Sequence, residues 1–229
     1  MNTAAIVIIG DEILHGETRD ENGPWLIEQL NQKGIEIEAV LTLPDKPDRA
    51  VPLLKQVVDC DYVLITGGIG PTHDDLTRQM VAQALEKSME TNEQVLEWLH
   101  TYYGDRVNES RVQMANLPKN SNAILLEDSP AIAFRTDNVF VFPGFPSLLK
   151  PLFDQWKEKF EGSDAFSRHL TVESYEGDVA EPLSEIQEKY PECQIGSYPR
   201  EDGHIDVKIR GGDQSRVQSV YEQIKTALT

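Results

Sequence analysis

The segment YVLITGGIGPTHDDLT, residues 62–77, contains the pattern that decides the fold. Its first five residues are mainly apolar and β-branched, which is typical of a strand buried on both faces of a parallel sheet. Glycines at positions 67, 68 and 70 follow directly, and the polar residues behind them predict a helix from about Asp75 to Lys87. A strand that passes through a glycine-rich turn into a helix is one unit of an open α/β sheet.

The same alternation of strands and helices extends over the first two-thirds of the chain. Residues 4–9 form a continuous apolar run that ends at Gly10, and residues 139–142 form another that ends at Pro143. Alternation of this kind produces right-handed βαβ units. We therefore expect an α/β fold with a doubly wound, mostly parallel sheet over residues 1–163.

A change of pattern near residues 161–164 predicts a domain boundary. The sequence there becomes polar and contains a glycine, as linkers between domains do. The predicted order of elements after this point is β-α-β-β-α. We therefore expect a second, smaller α+β domain over residues 164–229.

The formal net charge of −18 limits the partners that this chain can have. A surface so negative repels the phosphates of nucleic acids and of anionic membranes, so neither is an expected partner. No apolar run is long enough to cross a bilayer, and the first residues lack the regions of a signal peptide, so we expect a cytoplasmic protein. An anionic small ligand would need a local positive field from helix N-termini, a bound cation or a few arginines.

The glycine-rich segment is the first of three that follow strand ends, where open parallel sheets bind their ligands. Gly67, Gly68 and Gly70 would let the backbone approach a ligand closely, and the amides at a helix start favour an anion. Thr72 and Asp75 also fit a capping box, in which the two residues satisfy each other's backbone. For this loop alone, a scaffold role and a phosphate site are equal alternatives.

The second and third segments are Gly10-Asp11-Glu12 and residues 142–146. Asp11 and Glu12 follow the first strand and could hold a divalent cation together with Asp74 and Asp75, because Mg²⁺ prefers a few carboxylate oxygens plus water and phosphate. The alternative is that these carboxylates are simply solvated, as most acidic residues are. The prolines and glycine of residues 142–146 mark a rigid turn or, alternatively, shape the wall of a pocket.

These segments resemble the molybdopterin-binding domain family. The resemblance rests on Ile9-Gly10-Asp11-Glu12-Ile13-Leu14-x-Gly16, Asp20-x-Asn22, residues 66–77 and Phe142-Pro143-Gly144-Phe145-Pro146. Within the family, the region is most similar to the N-terminal region of the competence/damage-inducible protein A (CinA) group and to the N-terminal domain of eukaryotic FAD synthase. Residues 195–200 resemble the second, smaller domain of CinA-type chains, whereas the C-terminal deamidase domain of full CinA proteins has no counterpart in this chain, so nicotinamide-nucleotide deamidation is not expected.

The resemblance implies a doubly wound fold with a pocket for a nucleotide or a pterin. In CinA-like proteins the region is associated with ADP-ribose pyrophosphatase activity, and in FAD synthase-like proteins with hydrolysis of FAD. An aspartate that matches Asp75 is important in the relatives that handle molybdopterin. Asp74 stands where those relatives often have a basic residue, which disfavours adenylylation of a pterin.

Residues and resemblance together predict an enzyme that hydrolyses a nucleotide pyrophosphate, ADP-ribose or FAD, with release of AMP. The expected catalytic residues are Asp75, Asp74 and Glu12, and the expected ligands of Mg²⁺ or a similar divalent metal are Asp11, Glu12, Asp74 and Asp75. The substrate is expected to contact Gly10, Asn22, Gly67, Gly68, Gly70, Thr72, Pro143, Gly144, Pro146, Ser197 and Arg200. Two alternatives are an enzyme of molybdenum cofactor biosynthesis that handles molybdopterin or its adenylylated form, and a nucleotide-binding module without catalysis. A homodimer is an expectation from the resemblance alone.

Overall fold

The structure is a computed structural model that describes residues 2–163 and 166–228. The chain divides into two compact units, Met1–Gly162 and Ser163–Thr229. Asp164 and Ala165, at the predicted domain boundary, lie outside the described residues. Each unit is described by itself below.

The first unit is built from alternating strands and helices. Its strands are β1 (Thr3–Ile9), β2 (Glu36–Leu43), β3 (Tyr62–Thr66), β4 (Met89–Thr91), β5 (Asn116–Pro118), β6 (Asn122–Leu126), β7 (Ser129–Thr136) and β8 (Val139–Phe142). Its α-helices are α1 (Asp11–Leu14), α2 (Asn22–Gln32), α3 (Pro47–Leu54), α4 (Thr77–Ala84), α5 (Glu93–Tyr103), α6 (Glu109–Val112) and α7 (Pro146–Trp156).

The central sheet of the first unit has the strand order β2-β1-β3-β8-β7-β6. Strands β2, β1, β3 and β8 are parallel, whereas β7 and β6 are antiparallel additions at one edge. The chain passes from β1 to β2 on one side and then to β3 on the other side. This reversal makes a switch point between β1 and β3, where open α/β sheets have their binding crevice.

Both faces of the sheet are covered by helices, as strand β1 demonstrates. Its side chains at positions 5, 7 and 9 pack in a core that includes residues of α3, α4 and α5. Its side chains at positions 4, 6 and 8 pack in a second core with residues of α2 and α7. Because successive side chains of a strand point to opposite faces, an uninterrupted apolar run requires two apolar layers. The predicted doubly wound, mostly parallel sheet is confirmed.

Helix α4 is shorter than the helix predicted from about Asp75 to Lys87, because it begins only at Thr77 and ends at Ala84. A closed turn precedes it, in which the Asp75 amide donates to the Thr72 carbonyl at 3.2 Å. At the other end, Glu86 has a φ of 55°, a left-handed conformation that a helix cannot continue.

The second unit contains a three-stranded antiparallel sheet and two helices. Its elements are β9 (Phe166–Glu173), α8 (Glu176–Lys189), β10 (Gln194–Pro199), β11 (His204–Gly211) and α9 (Gln214–Leu228), with the strand order β10-β11-β9. Ile205, Val207 and Ile209 of the central strand are buried in the core with residues of both helices. The order β-α-β-β-α is the one expected from the sequence.

Two further observations concern the membrane and the cysteines. Among the described residues, no helix is long and apolar enough to span a bilayer. Cys60 and Cys193 are both buried free thiols.

A chain of hydrogen bonds connects the ends of strands β3 and β8 to the start of helix α2. Asn22 donates from its Nδ2 to the Thr66 hydroxyl at 2.9 Å and to the Gly144 carbonyl at 2.6 Å. The same hydroxyl donates to the Pro143 carbonyl at 3.0 Å. Thr66 is 1% exposed and Asn22 is 6% exposed, so these bonds are shielded from water. They fix the relative positions of three segments at the carboxyl edge of the sheet.

The substitution Thr66→Val tests this connection, because valine keeps the shape of the side chain and removes the hydroxyl. The Pro143 carbonyl would lose its donor, and we expect the free energy of unfolding to fall by about 1–3 kcal/mol. Urea unfolding followed by tryptophan fluorescence measures it for the first unit, which contains all three tryptophans, Trp25, Trp98 and Trp156.

The matched control is Thr101→Val, in which an exposed hydroxyl that bonds to its own helix is removed. We expect this control to change the free energy of unfolding by less than about 0.5 kcal/mol. Equal stabilities of the two variants would show that the Thr66 hydroxyl does not hold the segments together.

Candidate functional site

A cleft of about 780 Å³ lies along the carboxyl ends of the parallel strands in the first unit. Its walls come from the segments after β1, β2, β3 and β8 and from the first residues of β7. Because β7 runs antiparallel to β8, its amino end lies at this same edge of the sheet. The predicted site residues that line the cleft are Gly10, Glu12, Asn22, Gly67, Gly68, Gly70, Thr72, Asp74, Asp75, Pro143, Gly144 and Pro146.

Four successive carbonyl groups of the glycine loop, residues 67–70, bind the start of helix α4. The Gly67 carbonyl accepts from the Thr77 hydroxyl at 2.8 Å, and the Gly68 carbonyl accepts from the Thr77 amide at 3.0 Å. The Ile69 carbonyl accepts from the guanidinium of Arg78, and so does the Gly70 carbonyl at 3.1 Å. The loop therefore turns its oxygen atoms toward one side.

The amides of the same loop face the opposite side. In a planar trans peptide, the N–H and the C=O point in opposite directions. The amides of Gly68, Ile69 and Gly70 belong to peptide groups whose carbonyls bind Thr77 and Arg78, so they point away from the start of α4. Within the described part of the chain, none of the three donates a hydrogen bond. Successive free amides form a concave site that favours an anion.

Two carboxylates lie directly beside glycine α-carbons at this edge of the sheet. A Cβ atom on Gly10 would approach a Glu12 carboxylate oxygen to 2.6 Å, and one on Gly70 would approach Asp75 Oδ2 to 2.8 Å. Asp75 also accepts the Thr72 amide at 2.8 Å and the Thr72 hydroxyl, so only one half of the predicted capping box forms, because the Asp75 amide donates to the Thr72 carbonyl and not to its hydroxyl. A side chain at position 10 or 70 would therefore require the neighbouring carboxylate to move.

Asp45 is a residue of the cleft that the sequence analysis missed. It follows strand β2 and accepts the Asp11 amide at 2.9 Å, and its Oδ1 would lie 3.2 Å from a Cβ on Gly68. Burial raises the pKa of Asp45, and the negative charges of Asp11, Glu12 and Asp74 raise it further, against the opposing effect of the Asp11 hydrogen bond. Its position could have been predicted from the sequence, because β2 is parallel to β1 and ends at the same edge of the sheet.

The predicted metal ligands do not form a ready-made metal site. In residues 2–163 and 166–228, no group of three or more histidine, cysteine, aspartate or glutamate side chains is arranged to hold a metal ion. Asp11 is not among the residues that line the cleft, and its carboxylate forms an ion pair with Lys46 at 3.3 Å. Glu12, Asp74 and Asp75 line the cleft, together with Asp45.

One end of the cleft is apolar and aromatic. Tyr103, at the end of α5, lines it together with Met114, Pro130 and Ile132. The guanidinium of Arg111 lies 4.2 Å from the centre of the Tyr103 ring, a cation–π contact that holds the ring in place. No sequence signal marked these residues, because single aromatic and apolar side chains in helices and strands normally belong to a core.

The third segment forms the wall of the cleft beside the glycine loop. A Cβ on Gly144 would lie 3.5 Å from the α-carbon of Gly67, so the segments after β3 and β8 are in contact. Asn22 holds both of them, and its Oδ1 is buried without a hydrogen-bond partner in the described residues. Both alternatives considered for this segment apply, since the rigid turn also lines the pocket.

Ser197 and Arg200, the two remaining predicted residues, lie in the second unit. Ser197 is half-buried in β10. Arg200 forms ion pairs with Asp202 at 3.1 Å and with Asp206 at 3.7 Å. Its charge is therefore already balanced within that unit.

Comparison with known families gives two matches that together cover nearly the whole chain. Residues 5–160 match the family described as the probable molybdopterin binding domain. Residues 164–229 match the family described as the middle domain of FAD synthase.

Similar proteins from several organisms agree with these matches. A protein of Archaeoglobus fulgidus is 29% identical over 224 residues, which cover 97% of this chain and 96% of that protein. A CinA-like protein of Fusobacterium nucleatum is 33% identical over 158 residues, but these cover only 39% of its length and 67% of this chain.

A solved structure shares the fold. It is that of CinA from Thermoplasma acidophilum, described as a protein of unknown function, and it superposes with a TM-score of 0.66 over 70% of this chain and 99% of its own, at 23% identity. The resemblance that the three segments indicated is confirmed. Since the first family match spans more than half of the chain, this protein belongs to the molybdopterin-binding domain family.

Proposed function

We propose that the first unit hydrolyses a nucleotide pyrophosphate such as ADP-ribose or FAD, with the help of a divalent metal ion, and releases AMP. The observation that carries the proposal is the juxtaposition of three free amides, those of Gly68, Ile69 and Gly70, with the carboxylates of Glu12, Asp45 and Asp75 in one cleft. Amides bind the phosphates of such a substrate, and carboxylates bind the cation that neutralises them.

The amides would hold the diphosphate. They occupy the segment after β3, at the switch point of the sheet, and the helix α4 that follows adds the positive end of its dipole. This local field is what an anionic substrate needs on a chain with a net charge of −18. Thr72 lines the cleft at the end of the same loop.

The metal would be bound together with the substrate. Mg²⁺ usually takes only one or two protein carboxylates and completes its shell with water and substrate phosphates. Glu12, Asp45, Asp74 and Asp75 are four of the six acidic residues that line the cleft, with Asp20 and Glu21, which suits a cation that enters with its nucleotide. When bound, such an ion polarises a phosphoryl oxygen and lowers the pKa of a coordinated water. Glu12 and Asp75 would then orient that water or accept its proton.

The order of the strands also indicates how the substrate would be oriented along the cleft. Along the edge of the sheet, the acidic segments after β2 and β1 come first, the glycine loop after β3 is next, and the apolar residues of β7 follow beyond β8. Two strand spacings separate β3, which precedes the glycine loop, from β7, or about 10 Å. The cleft can therefore accept a diphosphate near the glycine loop and a planar ring near Tyr103.

A second candidate is the binding and conversion of molybdopterin or its adenylylated form. The observation in its favour is the match of residues 5–160 to the probable molybdopterin binding domain. Molybdopterin also carries a phosphate and a pterin ring system, so the same two parts of the cleft would bind it.

The experiment that tests the proposal is a product assay. The purified chain is incubated with ADP-ribose, FAD and NAD, with and without Mg²⁺, and AMP is measured by chromatography. Metal-dependent release of AMP from ADP-ribose or FAD supports the proposal. Saturable binding of these nucleotides without any product would indicate a binding module, and a copurified pterin would favour the second candidate.

The substitution Asp75→Asn tests the catalytic assignment. The amide oxygen of asparagine can still accept the Thr72 hydrogen bond, so the turn should remain folded, but the negative charge is lost. We expect the rate of AMP release to fall by about 100-fold, as for substitutions next to catalytic metals, while the melting temperature changes little. The matched control is Asp154→Asn, an exposed position on α7 that should leave the rate unchanged. An unaltered rate in Asp75→Asn would remove Asp75 from the catalytic residues.

The raised pKa of Asp45 predicts how stability depends on pH. Between the pKa of an unfolded aspartate, about 3.9, and the higher folded pKa, the folded state holds a proton that the unfolded state has lost, so stability falls as the pH rises through this window. At neutral pH, the charged Asp45 therefore destabilises the fold. We expect Asp45→Asn to melt at a higher temperature than the wild type at neutral pH, and the difference to vanish below about pH 3.9.

Thermal unfolding followed by tryptophan fluorescence over a pH series measures this difference. Asparagine can still accept the Asp11 amide, so the hydrogen bond is preserved in the variant. Asp154→Asn again serves as the control and should follow the wild type at every pH. Equal melting temperatures of Asp45→Asn and the wild type at neutral pH would contradict the expectation.

A further inference from the structure

Arg78 is a buried cation without a carboxylate partner. It is the second residue of α4 and is 2% exposed. Among the described residues, no carboxylate forms an ion pair with it, although Asp75 lies near enough to act on it electrostatically. Burial lowers its pKa. Burial of an unpaired charge is costly, so a charged residue here needs a reason that packing does not supply.

The guanidinium of Arg78 is bound entirely to carbonyl groups around the glycine loop. It donates to Ile69, to Gly70 at 3.1 Å and to Asp75 at 3.4 Å. Its Nε is buried and has no partner in the described residues. The guanidinium is a planar, rigid fork, so bonds to neighbouring carbonyls fix the peptide groups that carry them.

These bonds determine which way the loop presents its polar groups. The Ile69 carbonyl and the Gly70 amide belong to one peptide group, so holding the oxygen toward Arg78 turns the N–H toward the other side. Thr77 does the same for the amides of Gly68 and Ile69. Thr77 acts as a neutral donor, however, and only Arg78 adds a positive charge behind the loop.

We propose that Arg78 is the positioning residue of an anion site on this loop: it turns the amide of Gly70 outward, and its unpaired charge is balanced by a phosphate that binds on the other side. The inference rests on the phosphate-binding part of the proposed function and does not require that the bound ligand is hydrolysed. If the residue only held the loop together, an uncharged donor would suffice, because carbonyl groups also accept hydrogen bonds from uncharged groups.

The test compares the wild type with Arg78→Gln and Arg78→Lys. Glutamine keeps two donors and removes the charge, whereas lysine keeps the charge and removes the fork. The probes are inorganic pyrophosphate and uncharged adenosine, titrated by calorimetry. We expect Arg78→Gln to bind pyrophosphate about tenfold or more weakly, a loss of about 1.4 kcal/mol, and adenosine as the wild type does. Arg78→Lys should show a smaller loss for pyrophosphate.

The control is Lys87→Gln. Lys87 is also a largely buried cation, and it binds Thr136 and Asp137 at the end of β7 that lies away from the cleft. Its replacement should leave the affinity for pyrophosphate unchanged. Unfolding followed by tryptophan fluorescence verifies that each variant is folded.

Amide NMR spectra distinguish a positioning role of Arg78 from a purely structural role. On addition of pyrophosphate to the wild type, we expect the amide signals of Gly68 and Gly70 and the Nε–H signal of Arg78 to shift. In a folded Arg78→Gln, the glycine signals should respond only at higher pyrophosphate concentrations. If Arg78→Gln does not fold, the Nε–H signal of the wild type decides, and its failure to shift overturns the inference.

Wild-type affinity for pyrophosphate in a folded Arg78→Gln also overturns it. The inference and the proposed hydrolysis can fail separately. Pyrophosphate binding that depends on Arg78, without AMP release from any nucleotide, supports the anion site and contradicts the hydrolase. AMP release that is unchanged in Arg78→Gln supports the hydrolase and contradicts the role inferred for Arg78.

Discussion

The orientation of the peptide groups at residues 67–70 is the constraint on which the rest of the site depends. Their carbonyls bind the first two residues of α4, Thr77 and Arg78, and this leaves three amides free on the side of the loop away from that helix. The fold prepares this arrangement by ending β3 at the switch point of the sheet, where the chain must turn sharply into the helix. Gly67 and Gly68, with φ values of 101° and 62°, allow the turn that other residues would resist.

The distribution of charge decides how an acidic protein can bind an anion. The net charge of −18 opposes phosphate at long range, but the free amides and the buried guanidinium act within the few ångströms that matter for a bound ligand. The carboxylates of Glu12, Asp45 and Asp75 lie in the same cleft. Their negative charges are the reason why the proposed substrate is expected to bind together with a cation.

Several features of the site could be predicted from the sequence because they depend on local chemistry. The turns at the glycines, the pairing of Thr72 with Asp75 and the rigid turn at Pro143 follow from φ preferences and short-range hydrogen bonds. The predicted start of α4 near Asp75 precedes the observed start at Thr77, because the residues from Thr72 to Asp75 close a separate turn. Asp45 was missed because nothing in the residues around it distinguishes it from the other aspartates of the chain.

The sequence alone determined the doubly wound sheet, since an apolar run such as residues 4–9 can be buried only between two layers of helices. It also determined which segments stand at the carboxyl edge of that sheet. Only the tertiary structure decided which residues of these segments contact one another. Asn22 is joined to Thr66 across 44 positions, and Arg78 changes from an ordinary helical residue into a buried cation when the glycine loop folds over it. Such pairings depend on the order of strands and on the exclusion of water, neither of which is written in local sequence.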